Sequence, residues 1–179
     1  MAHINSLLGS NLLDTAQQGL AGPGVSYFHL PVTATHSDQQ PYGGSFSHLI
    51  FKQDKGPISP LFDMCYYILC SALDQEGAKL RELYRIRLGL ITRTPHRVTH
   101  EGHVDDHRPH STGLFYPIDS DGDTLIYNET QPSQTFSIKE SITPKKNSWH
   151  SFNGAHYHSS QSPIQHERRL VVTFNYLLS

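Results

Sequence analysis

Two cysteines, two methionines and one tryptophan are all that this 179-residue chain holds of its scarcest residue types. No apolar run approaches the roughly 18 residues that a membrane span requires. Cys65 and Cys70 stand five apart in CYYILC, a helical pattern that does not face them together, and two thiols make no disulfide framework. A reducing cytosol is the easier setting. The opening MAHINSLLGSNLLDTAQQG lacks the basic start and continuous apolar run of a secretion signal. The expectation is a soluble, cytoplasmic protein, lying in the host cytoplasm if the chain is viral. Neither sign of charge dominates: 14 Lys and Arg stand against 16 Asp and Glu. That balance supplies no global field to draw in nucleic acid or an anionic membrane.

What is abundant points to strands. With 36% hydrophobic and only 17% charged residues, 13 Gly and 11 Pro, the composition favours turns and sheets over long charged helices. The length suits a single domain spanning residues 1–179. Residues 1–24 read as a loose arm. GVSYFHLPV and SFSHLIFK then alternate as strands between turn residues. SPLFDMCYYILCSAL, from Ser59 to Leu73, reads as an amphipathic helix that starts with Ser before Pro. From residue 79 to 178 the texture changes to short strand-like runs: KLRELYRIRLGLITRT, STGLFYPID, DTLIYNE, QTFSIKESI, NSWHSFNG and RRLVVTFNYLL. Six strands after one helix predict a mainly β fold, a sandwich or barrel buttressed by that helix. DSDGD reads as a hairpin turn with Gly122 at its tight position.

Thirteen histidines raise the question of a metal. A mononuclear ferrous site takes two imidazoles and one carboxylate on one face of the ion. Its first two ligands can come from His-x-Asp, because residues i and i+2 of a strand point the same way. His103 and Asp105 have that spacing, and so do His36 and Asp38. Composition alone gives roughly 0.7 such pairs by chance, so spacing cannot choose between them. Only the pair in HVDD is followed at close range by a histidine pair, HYHSS, and a strand that opens with arginine, RRLVV. The other histidines of the loop, His100, His107 and His110, read as solvated. Trp149 and Phe152 read as core.

From Tyr84 to Tyr176 this ordered set resembles the 2-oxoglutarate- and Fe(II)-dependent dioxygenases, in particular the prolyl 4-hydroxylase-like branch with its small viral and bacterial members. The resemblance implies a double-stranded β-helix, a jelly-roll of the cupin kind, with a supporting helix. It makes His103 and Asp105 iron ligands, with His158 favoured over His156 as the third. Arg169 is favoured over Arg168 as the anchor of the distal 2-oxoglutarate carboxylate, assisted by Tyr116; Val171 stands where the branch usually has Ser or Ala. Implied cofactors are Fe(II) and 2-oxoglutarate, with O2 as co-substrate and ascorbate as an accessory reductant. The implied reaction is hydroxylation with release of succinate and CO2. The substrate is unidentified, a peptide or protein being favoured and a peptidyl proline one candidate. Two other classes stand beside it: a zinc-dependent cupin-like hydrolase or isomerase using His103, His156 and His158, and a non-enzymatic jelly-roll binding or virion protein.

Overall fold

The computed structural model describes residues 1–30 and 45–179. In chain order its elements are β1 (Ala2–Ile4), α1 (Ser10–Ala21), β2 (Phe28–Leu30), β3 (Ser45–Lys52), β4 (Gly56–Pro57) and α2 (Phe62–Glu76). There follow β5 (Leu80–Thr92), β6 (Ser111–Tyr116), β7 (Thr124–Tyr127), β8 (Ile138–Ile142), β9 (Ser148–Asn153), β10 (His158–Ser160) and β11 (Arg168–Leu178). The major sheet runs β1-β9-β6-β11-β5-β3-β2, with β4 on β3, and the minor sheet runs β10-β7-β8. Every pairing is antiparallel. The chain forms the mainly β fold expected from the strand pattern, with the paired sheets of the jelly-roll that the resemblance implies.

β11 organises the molecule. It lies between β5 and β6, and because side chains alternate across a strand it serves two layers. Leu170, Val172, Phe174 and Tyr176 belong to the large core under the helices. Arg169, Val171, Thr173 and Asn175 point the other way, toward the minor sheet. There Val171 packs with Leu114, Tyr116, Ile126, Ile142 and Phe152 in a smaller core. A strand buried on both faces explains why RRLVVTFNYLL is nearly continuous in apolar residues instead of alternating.

The helices cover the outer face of the major sheet. α2 turns Cys65, Ile68, Leu69, Ala72 and Leu73 onto Ile86, Leu88, Phe115 and Phe174. Each fully buried Leu or Ile there contributes roughly 1.5–3 kcal/mol. The helix stops at Gly77, whose φ of 65° is left-handed, and the Gly77 and Ala78 amides close the end on Asp74 and Leu73 carbonyls. It begins at Phe62, three residues beyond the expected cap; Ser59 Oγ accepts from the Leu61 amide in the preceding turn and contacts His48 Nε2 at 2.7 Å.

Two expectations are corrected. The opening residues are not a loose arm: β1 extends the major sheet beside β9, and α1 buries Ala16 and Leu20. Gly19 obscured that helix in the sequence, yet a Cβ there would lie 2.9 Å from the Met64 methyl, so the glycine permits close contact with α2. DSDGD is likewise no hairpin turn, since β6 and β7 lie in different sheets and the segment crosses between them. Gly122 does not adopt a positive φ. A Cβ on it would stand 2.5 Å from the Gln161 carbonyl oxygen and 3.0 Å from Arg169 Cδ. The Asp121 carboxylate accepts from the amides of Ile164, Gln165 and His166, tying the crossover to the approach of β11.

The Trp149 ring lies over Gly113, where an added Cβ would come within 2.3 Å of it. Gly113→Ala is expected to destabilise the fold by about 1–3 kcal/mol through overpacking. Gly24→Ala, with nothing within 4 Å, should leave the urea midpoint almost unchanged. Equal midpoints for the two variants would contradict this packing.

Candidate metal centre

His103 and His158 stand 55 positions apart in sequence, and the backbone itself brings them together. The His103 amide donates to the His158 carbonyl at 3.0 Å, and the His158 amide returns a bond to the His103 carbonyl at 2.9 Å. Thr99 pairs with Gln161 in the same antiparallel sense. The segment before His103 thus runs as an extra extended edge along β10. Directly opposite residues project to the same side of a ladder, and the two imidazole centroids are 4.7 Å apart.

Each ring is oriented by the carbonyl two residues before it: His103 Nδ1 lies 3.2 Å from the Glu101 oxygen, and His158 Nδ1 lies 3.2 Å from the His156 oxygen. A carbonyl can only accept, so Nδ1 carries the proton and Nε2 presents a lone pair. Both Nε2 atoms face Asp105, at 3.9 Å from Oδ1 for His103 and 3.6 Å from Oδ2 for His158. One ligand atom from each of the three residues falls within 4.8 Å of the others. Two imidazoles and one carboxylate so arranged fit a divalent iron with an open face.

Asp105 is held from behind. Arg85 Nη2 donates to Oδ1 at 2.5 Å and Asn175 Nδ2 donates to Oδ2 at 3.0 Å, while Asn175 Oδ1 accepts from Arg85 Nε at 2.9 Å. Burial alone would raise this carboxyl; the Arg85 guanidinium and the two histidines outweigh it and hold the group well below the usual carboxylate range. Burial, followed by the neighbouring His158, lowers His103 from 6.5 to about 4. The ligand set is therefore one anion and at least one neutral imidazole at neutral pH, the protonation states that bind metal.

Alternation sends the two arginines of the doublet to opposite faces of β11. Arg169 is buried, its Nε donating to the Gly122 carbonyl at 2.8 Å and its Nη2 to Thr124 Oγ1 at 2.6 Å. Arg168 is exposed on the opposite side and donates to the Ala21 carbonyl. Tyr116 is fully buried and reaches the same threonine, Oη to Oγ1 at 2.7 Å. Sequence reasoning missed Thr124, Arg85 and Asn175. Inward alternation along β5 and β11 was the available signal for the last two, since Asn175 sits opposite Arg85 and on the face of Arg169. His103, Asp105, His158 and Arg169 line one pocket together with Arg87, Gly89, Thr124 and Thr173.

Three sequence expectations change. His156 lies outside the cluster, with Nε2 3.0 Å from Lys139 Nζ, which removes the third ligand of the zinc reading. His100 and His110 are buried, not solvated. His100 Nδ1 lies 2.8 Å from the Ser160 carbonyl oxygen, and the His110 ring fills the space over Gly154, where a Cβ would be 2.1 Å from its Nε2. His107 is exposed as expected, and Trp149 and Phe152 are core. His36 and Asp38 lie outside the described residues.

His103→Ala, Asp105→Ala and His158→Ala should each abolish Mn(II) binding measured by electron paramagnetic resonance, whereas His156→Ala should retain it. Asn175→Ala should weaken the affinity about 10- to 100-fold by releasing Asp105. Retention in His158→Ala with loss in His156→Ala would overturn the ligand assignment. In the metal-free protein His103 stays neutral down to about pH 4, and so does His150, lowered to about 4 by burial and by His3. An unfolded histidine takes its proton near 6.5, so the unfolded chain binds more protons between these values and stability falls as pH drops from about 6.5 to about 4. Urea midpoints at pH 7 and pH 5 should show that loss, and His150→Phe should reduce it.

No family model matches the sequence, and no curated protein matches it either. Solved structures do match. The non-heme alpha-ketoglutarate-dependent epimerase SnoN from nogalamycin biosynthesis superposes with a TM-score of 0.68 at 10% identity, over 98% of this chain and 77% of its own. A prolyl hydroxylase from Trichoplax adhaerens, solved with a peptide of hypoxia inducible factor, gives 0.60 at 14% identity over 98% and 82%. HygX from Streptomyces hygroscopicus, solved with nickel and 2-oxoglutarate, gives 0.59 at 15% identity over 97% and 81%. With its paired sheets and inward-facing His-Asp-His set, the chain has the fold of the 2-oxoglutarate- and Fe(II)-dependent oxygenases.

Proposed function

We propose that this chain is an Fe(II)- and 2-oxoglutarate-dependent oxygenase that hydroxylates its substrate. The observation that carries the reading is the meeting of His103, Asp105 and His158 with the buried guanidinium of Arg169 in one pocket on this fold. When bound, iron with 2-oxoglutarate and O2 supplies the oxidising power, and succinate and CO2 are the by-products.

The protein's part is binding and shielding. His103, Asp105 and His158 would hold the metal. Arg169 would pair with the distal carboxylate of 2-oxoglutarate through its planar fork, aimed by Gly122 and Thr124. Tyr116 and Thr124 would complete that end of the pocket. Gly89 and Val171, opposite one another in the ladder, form its narrow waist. No side chain acts as a nucleophile.

On the outer side of His103 an open cleft of about 350 Å³ is lined by Gly102, Val104, His107, Phe136 and Tyr157. Phe136 stacks between Tyr127 and Tyr157, with ring centroids 4.9 and 5.1 Å away. This apolar wall beside a metal ligand suits an extended substrate carrying a compact ring, which supports a peptidyl proline as the first candidate. Reaction outcome is left to the substrate's pose above the metal, and hydroxylation is the outcome proposed.

Anaerobic loading with Fe(II) and 2-oxoglutarate, followed by O2, should yield succinate, and a panel of proline-containing peptides and small metabolites should reveal a substrate that raises the yield. The yield should fall to background in Asp105→Ala. Absence of both 2-oxoglutarate binding and succinate formation in the iron-loaded protein would overturn the reading.

A further inference from the structure

Arg87 has no role in the chemistry outlined above, and its position is unusual. It lies on β5 opposite Thr173 of β11, on the same face as Arg85, Gly89 and Ile91. That places it between the Arg85–Asp105 pair at the metal end and Arg169 at the far end. Its Nε is fully shielded and has no hydrogen-bond partner, and no described carboxylate lies within ion-pair distance of the group. Arg85 pairs directly with Asp105; among the described residues neither Arg87 nor Arg169 has a carboxylate within ion-pair distance, Asp105 and Asp123 acting on them only from farther away. Asp123, the next carboxylate along, accepts from Ser141 and does not line the pocket.

An arginine remains protonated even when buried, so an unpaired one is costly unless a ligand brings the counter-charge. Burial and then the neighbouring Arg85 act against the charge of Arg87; Asp105 offsets part of this, and Arg169 opposes the charge again. The pocket therefore presents two guanidiniums without a direct ion pair, Arg87 on the metal side and Arg169 at the far end, with the side-chain-free Gly89 and the short Val171 between them. Two separated guanidiniums lining one pocket match a linear dicarboxylate dianion.

We infer that Arg87 and Arg169 together bind a four- or five-carbon dicarboxylate from both ends, with Arg87 meeting the carboxylate nearest the metal, so that the pocket takes up such an anion without any metal. The inference rests on reading the pocket as the 2-oxoglutarate site and extends it in one respect: chelation is not the sole hold on the inner end of the co-substrate.

The test uses the whole chain in excess EDTA, with glutarate, succinate and butyrate as probes, since none of these carries the oxo group that chelation needs. Calorimetric titration should show glutarate and succinate binding to the wild type and butyrate not binding. Arg87→Met and Arg169→Met should each weaken glutarate binding by about tenfold or more, the loss of one charge-assisted fork. Arg87→Lys should recover part of the loss. Circular dichroism establishes that each variant is folded, with Arg87→Gln replacing Arg87→Met if that variant does not fold. Glutarate binding unchanged in a folded Arg87 variant, or absent in the wild type, overturns the inference. A parallel titration of 2-oxoglutarate with Mn(II) separates the two readings. Binding there, with none in EDTA, overturns the arginine pair and leaves the oxygenase intact; binding in neither overturns both.

Discussion

The two hydrogen bonds exchanged between the backbones of His103 and His158 are the constraint on which the site depends. They join a loop after β5 to the short strand β10, and they use no side chain to do so. Rings two residues from their own carbonyl acceptors then have one orientation available, and both aim at Asp105. The metal-binding geometry is thereby a by-product of sheet formation, fixed before any ion arrives. This is the kind of preorganisation that holds ligands within a few tenths of an ångström of where they are needed.

The rest of the architecture supports that junction. β11 lies at the middle of the major sheet, clamped by β5 and β6; it lends Arg169 to the pocket and Asn175 to the support behind Asp105. The helices press on its other face through Phe174 and Val172. Asp121 fastens the crossover between the sheets to the turn ahead of β11, and Gly122 in that crossover accepts from Arg169. Core packing and site geometry are therefore coupled through a single strand: a disturbance at Phe174, or at the Trp149 ring packed on it, reaches the pocket of Arg169 along one backbone.

Much of this was legible in the sequence where a pattern was long enough. The six runs from residue 80 onward are strands, and SFSHLIFK is β3 to the residue. His103, Asp105, His158 and Arg169 converge as their order implied. The rest was hidden for identifiable reasons. α1 carries a glycine that serves interhelical contact, so its helical signal was diluted. β10 has three residues, too few to show alternation. The buried state of His100 and His110 follows from contacts to Ser160 and Gly154, some 45 to 60 positions away, which no local window contains. DSDGD looked like a hairpin because turn chemistry says that a chain reverses, not which sheet it enters next.

The two-sided character of β11 has a consequence for what this chain can become. Its odd-numbered residues face the ligand pocket and its even-numbered residues face the helices, so the two messages are interleaved in one segment and share one phase. Substitutions can retune either message alone. A single inserted or deleted residue within Arg169–Tyr176 cannot, because it would drive Arg169 or Asn175 under the helices and lift Val172 or Phe174 into the pocket at the same stroke. Variation in length is thus confined to the crossovers and loops, while β11 can diversify by replacement only.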